Sequence, residues 1–144
     1  MKIAPGVIEG SFETFRSCGG GRDECVVYWS GPLDDPDLVV RFHHPRHMAG
    51  PVGYDVDGAW LTKFLPTLSA EDRTVRVQVH THPGSTFHSS RDDGMALLYV
   101  AGFLSLVIPN FGLGAPTLER SYLTTLDDSG AWQVLDPLET LELT

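Results

Sequence analysis

Residues 80 to 93, HTHPGSTFHSSRDD, concentrate side chains that can bind a metal ion. Residues i and i+2 of a strand project to the same face, so His80 and His82 can present two imidazoles to one point. Ser90 and Asp93 are three residues apart, which at a helix start puts both side chains on one face. Two imidazoles and one carboxylate leave a fourth position open for water, the ligand count of a catalytic zinc site.

The same segment also admits a structural interpretation. Ser90 and Asp93 have the spacing of a capping box, and two histidines at the end of a strand can simply be solvated. A cap needs no histidines, however, and a solvated strand end needs no aspartate eleven residues later. The combination therefore favours a metal site. The neighbouring Asp92 is interpreted as a solvated acid of the first helical turn, where it interacts favourably with the helix dipole.

The arrangement of HTHP, Ser90 and Asp93 resembles the JAMM motif of the JAB/MPN+ metalloprotease family, H-[ST]-H-P-x6-S-x2-D. The family pattern also has a glutamate upstream, at the start of a strand that runs into a glycine. Glu24 matches it in the stretch GRDECVVYWSG, where Asp23 is the adjacent rival. The resemblance covers most of the chain, from Glu24 to the strands after residue 103.

This resemblance implies a role for each matched residue. His80, His82 and Asp93 would bind one Zn²⁺ per chain. Glu24 would act as the general base that takes a proton from water and passes it to the leaving amine. Ser90 would donate a hydrogen bond to the oxyanion that develops on the attacked carbonyl. The implied reaction is amide hydrolysis without a covalent intermediate.

The resemblance further implies a single α+β domain over residues 1–144, layered α/β/α, with a mixed sheet flanked by two or three helices. Family members commonly cleave after the C-terminal glycine of ubiquitin-like proteins. This chain looks most like bacterial JAB proteins encoded beside ubiquitin-like conjugation enzymes, including those of antiphage operons. The expected partners are a ubiquitin-like substrate and its activating and conjugating enzymes. Two alternatives stay open: an amidase acting on a small peptide or an amino-acid conjugate of a sulfur-carrier protein, and a non-catalytic MPN scaffold.

Periodicity predicts the elements that must position these residues. TVRVQVH alternates with period two and predicts a strand ending near His80. ECVVYWSG and DLVVRFHH predict a hairpin, and Asp57 can cap a helix that Pro66 should kink or shorten. RDDGMALLYVAG predicts a buried helix, followed by a strand in FLSLVIPN and two more around LERSYLTTL and AWQVLDP. A helix is also predicted near residues 6–16, and the loops 43–56 and 109–117 are expected to wall the substrate site.

Composition excludes several other functions. The 19 acidic and 10 basic residues give a net charge of −9, which argues against a nucleic-acid partner. No apolar run is long enough for a membrane span and no signal peptide is visible, so a cytoplasmic protein is expected. Cys18 and Cys25 lack zinc-finger spacing and are expected to be free thiols. His88 is expected in an exposed loop, and the histidines at 43, 44 and 47 are not expected to bind metal.

Overall fold

A computed structural model describes all 144 residues. Its strands and helices are arranged around one main mixed sheet of six strands. The strands, in chain order, are β1 Lys2–Ile3, β2 Val26–Pro32, β3 Leu38–Val39, β4 Arg41–His43, β5 His47–Gly50, β6 Gly53–Val56, β7 Arg73–Thr81, β8 Leu104–Ile108, β9 Tyr122–Leu126, β10 Trp132–Leu135 and β11 Glu142–Leu143. The helices are α1 Val7–Gly19, α2 Gly58–Ala70, α3 Ser90–Asp93 and α4 Pro137–Thr140. None of them is long and apolar enough to cross a membrane.

The main sheet has six strands in the order β10-β9-β8-β7-β2-β4. Only the β7–β8 pair is parallel, and the other neighbours run antiparallel. A small parallel sheet joins both chain ends in the order β11-β1-β3, and β5 pairs with β6 in a separate two-stranded sheet. The predicted β2–β4 hairpin and the predicted strands β7 to β10 are therefore confirmed.

The two long helices cover opposite faces of the main sheet. Along β2, Val27 and Trp29 face the core cluster that contains α1, whereas Val26 and Tyr28 face the cluster that contains Leu68 of α2. This alternation follows from the two-residue period of a strand. The α+β fold with α/β/α layering predicted from the sequence is confirmed.

Helix α2 begins after Asp57, as predicted, but it is not shortened at Pro66. The side chain of Asp57 accepts a hydrogen bond from the backbone N–H of Ala59 at 2.9 Å, which caps the helix. The helix then continues through Pro66 to Ala70. The rings of Trp60 and Phe64 stack 4.4 Å apart against the sheet, and this packing offsets the backbone hydrogen bond that proline removes.

Two segments differ from their sequence-based predictions. Residues 43–56, predicted as a loop, contain the hairpin β5–β6, whose short strands pair across a turn at Pro51 and Val52. The predicted helix in RDDGMALLYVAG is a single turn, α3. Beyond it, the side-chain amide of Gln78 donates to the Met95 carbonyl at 3.2 Å and accepts from the Leu97 N–H at 2.9 Å. These bonds to the sheet take the place of helical backbone bonds.

Gly31 in β2 is required by a close approach of the backbone. A Cβ added at this position would lie 1.7 Å from the carbonyl oxygen of Leu38. We expect Gly31→Ala to lower the free energy of unfolding by about 3 kcal/mol or more, because the overlap can be relieved only by moving backbone. Gly58→Ala is the control, since no atom lies within 4 Å of its added Cβ. Urea unfolding measures both, and equal stability of the two variants would contradict this prediction.

Candidate active site

His80 and His82 lie at the end of β7, the strand beside the centre of the sheet. His80 is the penultimate residue of the strand and His82 follows its last residue. His80 is completely buried, with its ring 5.4 Å from that of Tyr54, and His82 is nearly so. Their Nε2 atoms are 3.3 Å apart. The same-face geometry predicted from their spacing therefore brings the two imidazoles together.

The antiparallel pairing of β2 with β7 brings Glu24 to the same end of the sheet. Val26 pairs with His80, and the Thr81 N–H donates to the Cys25 carbonyl at 3.0 Å. Glu24, two residues before Val26, therefore shares its face and lies opposite His82. Glu24 is buried, only 4% exposed. His80 comes fifty-six positions after Glu24 in the chain, and the register of the two strands brings them together.

The acidic residue beside the two histidines is Asp92. Its Oδ1 lies 3.2 Å from the Nε2 atom of His80, and its Oδ2 lies 3.3 Å from that of His82. All three side chains are buried and their potential ligand atoms face one another. We refer to His80, His82 and Asp92 as the His–His–Asp triangle.

The placement that the sequence predicted for Asp93 is corrected by one residue. The Asp93 side chain is half exposed and pairs with Nδ1 of His88, away from the triangle. SSRDD contains two serines followed, after Arg91, by two aspartates, so the S-x-x-D pattern fits in two registers. In the structure the earlier pair, Ser89 and Asp92, faces the two histidines. The segment between His82 and this aspartate is therefore one residue shorter than in the family pattern.

The serine position shifts with the aspartate. Ser89 lines the cavity beside the triangle, whereas Ser90 is exposed on the outer side of α3. Ser89 and Asp92 form a capping box: Ser89 Oγ accepts from the Asp92 N–H at 3.1 Å, and Asp92 Oδ2 accepts from the Ser89 N–H at 2.8 Å. Because Ser89 Oγ is an acceptor here, its own proton remains free to donate into the cavity. Asp92, predicted as a solvated acid, is therefore a buried one.

Burial and charge set the ionisation of these groups. Burial lowers the pKa of His80, which favours the neutral imidazole that binds metals. Burial by itself would raise the pKa of Asp92, but hydrogen bonds from His80 and His82 outweigh it and hold that pKa below its usual range. Burial raises the pKa of Glu24 to about 7, with a smaller opposing effect of His82. A carboxyl group with such a pKa can both accept and release a proton near neutral pH.

The donor set and its dimensions fit a zinc ion. Zinc is held at about 2.0–2.2 Å by histidine nitrogens and carboxylate oxygens, and tetrahedral angles then place neighbouring donors about 3.4 Å apart. The two Nε2 atoms are 3.3 Å apart, and each has one Asp92 oxygen at a similar distance, Oδ1 at 3.2 Å from His80 and Oδ2 at 3.3 Å from His82. One ligand atom from each of the three residues lies within 4.8 Å of the others. His80, His82 and Asp92 are thus the residues that could hold the metal. Without a metal, the carboxylate would accept hydrogen bonds from both rings.

A cavity of about 230 Å³ opens beside the triangle. One wall is formed by Val52, Gly53 and Tyr54 of the β5–β6 hairpin, and a second by Pro83, Gly84, Ser85 and Phe87. The remaining lining residues are Glu24, His82, Ser89, Arg91, Asp92 and Met95. Segment 43–56 thus forms one wall, as expected from the sequence. Segment 109–117 lines a separate cavity instead, and it supports the histidine loop through the Phe111 N–H, which donates to the His82 carbonyl at 2.8 Å.

His88 is not the exposed loop residue that the sequence predicted. Its side chain is 5% exposed, and Nε2 lies 3.0 Å from Ser105 Oγ while the ring packs 4.6 Å from that of Trp132. Together with its bond to Asp93, these contacts fasten the histidine loop to the sheet. His88 therefore supports the loop and does not line the cavity.

Comparisons with known proteins give a sequence relative and structures of the same fold. No protein-family model matches the sequence. A probable metalloprotease of Sinorhizobium fredii (strain NBRC 101917 / NGR234) is 33% identical over 101 residues, which cover 67% of this chain and 62% of that protein. The aligned region thus spans less than two thirds of the relative's length.

Two solved structures share the fold over the whole chain. A Desulfitobacterium hafniense protein superposes with a TM-score of 0.70 at 13% identity, covering 100% of this chain and 93% of that one. A JAB1/MPN domain protein from Archaeoglobus fulgidus superposes with a TM-score of 0.58 at 15% identity, covering 100% and 97%. The fold is that of a JAB/MPN domain. Together with the relative described as a probable metalloprotease, it supports assignment of the chain to the JAB/JAMM family.

Proposed function

We propose that the chain is a zinc-dependent isopeptidase that hydrolyses the amide bond after the C-terminal glycine of a ubiquitin-like protein. The observation that carries the proposal is the buried His–His–Asp triangle, which opens into a cavity shared with the carboxyl group of Glu24. This combination supplies a metal site and a base within one small space. The relative described as a probable metalloprotease supports the same class of reaction.

Each residue has a distinct task in this hydrolysis. A zinc ion held by His80, His82 and Asp92 would supply Lewis acidity that activates water and polarises the scissile carbonyl. Glu24 accepts one proton of the attacking water and delivers it to the leaving amine, so that water and amide become a carboxylic acid and an amine. Ser89 donates a hydrogen bond to the oxygen on which negative charge develops. Ser89 thus takes the part that the sequence assigned to Ser90.

The cavity and its wall support an extended glycine tail as the substrate. Its volume of about 230 Å³ is below the ~300–1,000 Å³ typical of pockets that enclose a whole small molecule. Residues without side chains fit such a space. Strand β6 in the wall has β5 as its only strand partner. Its other edge can therefore pair with an extended peptide, the mode of recognition in which backbone hydrogen bonds provide affinity.

The wider setting is part of the proposal. The resemblance of HTHP and the following segment to bacterial JAB proteins supports a partner ubiquitin-like modifier with activating and conjugating enzymes, in an antiphage system. The chain would then remove the modifier from its targets, process its precursor, or both. Co-purification of the Glu24→Gln variant with modified proteins from its native host, compared with an Asp92→Asn variant, would identify the modifier.

A fusion-cleavage assay tests the substrate class. The zinc-loaded protein is incubated with a ubiquitin-like domain whose C-terminal glycines are joined to a reporter, and with a matched fusion in which the last glycine is replaced by valine. We expect chelator-sensitive cleavage of the glycine fusion alone. Cleavage of short unrelated peptides but not of the fusion would favour the amidase alternative. No cleavage of any substrate by fully metal-loaded protein would favour a scaffold.

Replacing Ser89 separates its catalytic role from its capping role. Ser89→Ala should lower kcat by about 10²-fold through loss of the oxyanion hydrogen bond, and the free energy of unfolding by about 1 kcal/mol through loss of the cap. Ser89→Gly should keep most of the capped stability and still lose activity, because glycine is tolerated at caps. Ser90→Ala is the control and should change neither quantity. Steady-state kinetics and urea unfolding measure the two effects, and full activity of Ser89→Gly would contradict the catalytic role.

A further inference from the structure

A second group of metal-binding side chains lies on the opposite face of the sheet from the cavity. Cys18 comes from the last turn of α1, and Cys25 immediately precedes β2. His44 lies three residues before β5, and His47 is the first residue of β5. The two sulfur atoms and one nitrogen atom from each ring all lie within 4.8 Å of one another. We call these four residues the cysteine–histidine cluster. We propose that the cluster binds a second zinc ion, in a closed structural site.

The distances within the cluster match tetrahedral zinc. Cys18 Sγ lies 3.4 Å from Nε2 of His47, and Cys25 Sγ lies 3.5 Å from Nε2 of His44. Zinc–sulfur bonds of about 2.3 Å and zinc–nitrogen bonds of about 2.0–2.1 Å at tetrahedral angles place the two donors about 3.5–3.6 Å apart. Two thiolates and two imidazoles also form a recognised donor set of closed structural zinc sites.

The orientation of His47 provides independent support. Its Nδ1 lies 2.9 Å from the carbonyl oxygen of Pro45, so Nδ1 carries the proton and donates it there. In the neutral ring the lone pair is then on Nε2, the atom that faces Cys18. Metal-binding histidines are commonly held this way, with the second nitrogen donating to a carbonyl. The ring is therefore oriented as a zinc ligand before any ion binds.

A metal here would fix parts of the candidate active site. It would join the end of α1, the start of β2 and the β5–β6 hairpin, which are three separate structural elements. Cys25 is adjacent to Glu24, whose N–H donates to the Gly50 carbonyl of the hairpin at 2.9 Å. The same hairpin carries Gly53 and Tyr54 of the cavity wall. The second ion would therefore fix the position of Glu24 relative to the β5–β6 hairpin.

Cobalt substitution tests the second site independently of activity. The reduced, metal-free full chain is titrated with Co²⁺, whose bonds to thiolates produce a charge-transfer absorption band. We expect two Co²⁺ per chain, one of which gives this band, and release of protons on binding at the cluster. Cys18→Ser should lose the band and one equivalent of metal. His82→Ala should also lose one equivalent but keep the band.

Two further variants keep the result interpretable. Cys25 is fully buried, so its replacement can unfold the chain, whereas His44 is exposed. His44→Ala should weaken Co²⁺ binding at the cluster at least tenfold while the circular dichroism spectrum stays unchanged. His43→Gln alters the adjacent histidine, which bonds to Ser30 outside the cluster, and should keep the full band. Absence of the thiolate band in the reduced chain, or an unweakened band in His44→Ala, would overturn the proposal. One Co²⁺ per chain with the band present would support the cluster and count against metal binding by the His–His–Asp triangle.

Discussion

Asp92→Asn should lower the zinc content by one equivalent per chain and abolish hydrolysis. Asparagine retains one oxygen but loses the negative charge, and its NH₂ group would face the two imidazoles as a donor. The three-ligand set is then reduced to two histidines, and these are buried where a poorly compensated cation is costly. Metal analysis after gel filtration gives the zinc content, and the glycine-fusion assay gives the activity.

Asp93→Asn is the matched control for this experiment. It makes the same chemical change one residue further along, at a half-exposed carboxylate that pairs with His88. Its zinc content and activity should equal those of the wild type, with a stability loss of about 1 kcal/mol or less, as for an exposed ion pair. The opposite result, with zinc lost from Asp93→Asn and retained by Asp92→Asn, would restore the register that the family spacing predicts.

Glu24→Gln should retain zinc and lose cleavage. Glutamine has the same shape and leaves His80, His82 and Asp92 untouched, but it cannot accept a proton from water. General acid–base catalysis contributes about 10²–10⁴-fold to rates, and we expect kcat to fall within this range. Single-turnover cleavage of the glycine fusion, measured on protein of verified zinc content, gives the rate.

Asp23→Asn is the control for the base. Asp23 precedes Glu24 and was its rival in the sequence, but it lies outside the cavity that contains the triangle. The variant should cleave at the wild-type rate. Full activity of zinc-loaded Glu24→Gln would remove Glu24 from the mechanism without affecting the metal site, so the two hypotheses fail separately.

The local parts of the site could be predicted because they depend on short-range periodicity. Alternation in TVRVQVH predicts a strand, and that strand puts His80 and His82 on one face whatever surrounds them. The upstream glutamate was found by its resemblance to a family pattern, since nothing local in GRDECVVYWSG specifies a partner. The structure adds the β2–β7 register that places Glu24 opposite His82.

Other predictions failed where tertiary contacts overrule local pattern. The run after α3 is apolar enough for a buried helix, yet Gln78 of the neighbouring strand binds its backbone at Met95 and Leu97. Cys18 and Cys25 are free thiols, as predicted from their lack of zinc-finger spacing. The sequence did not indicate that the end of α1, the start of β2 and the β5–β6 hairpin meet and bring both thiols beside His44 and His47. Tertiary packing sets how these segments meet, so spacing along the chain does not specify the cluster.

The sequence by itself determined the chemistry available to this protein: two histidines on one strand face, two serines and two aspartates just beyond them, and a glutamate far upstream. Only the tertiary structure decided which serine and which aspartate lie beside the two histidines. The doubled residues of SSRDD satisfy the same local rules in either register. The choice of Ser89 and Asp92 depends on how one helical turn docks against β7, where hydrogen bonds between buried groups favour one register over the other.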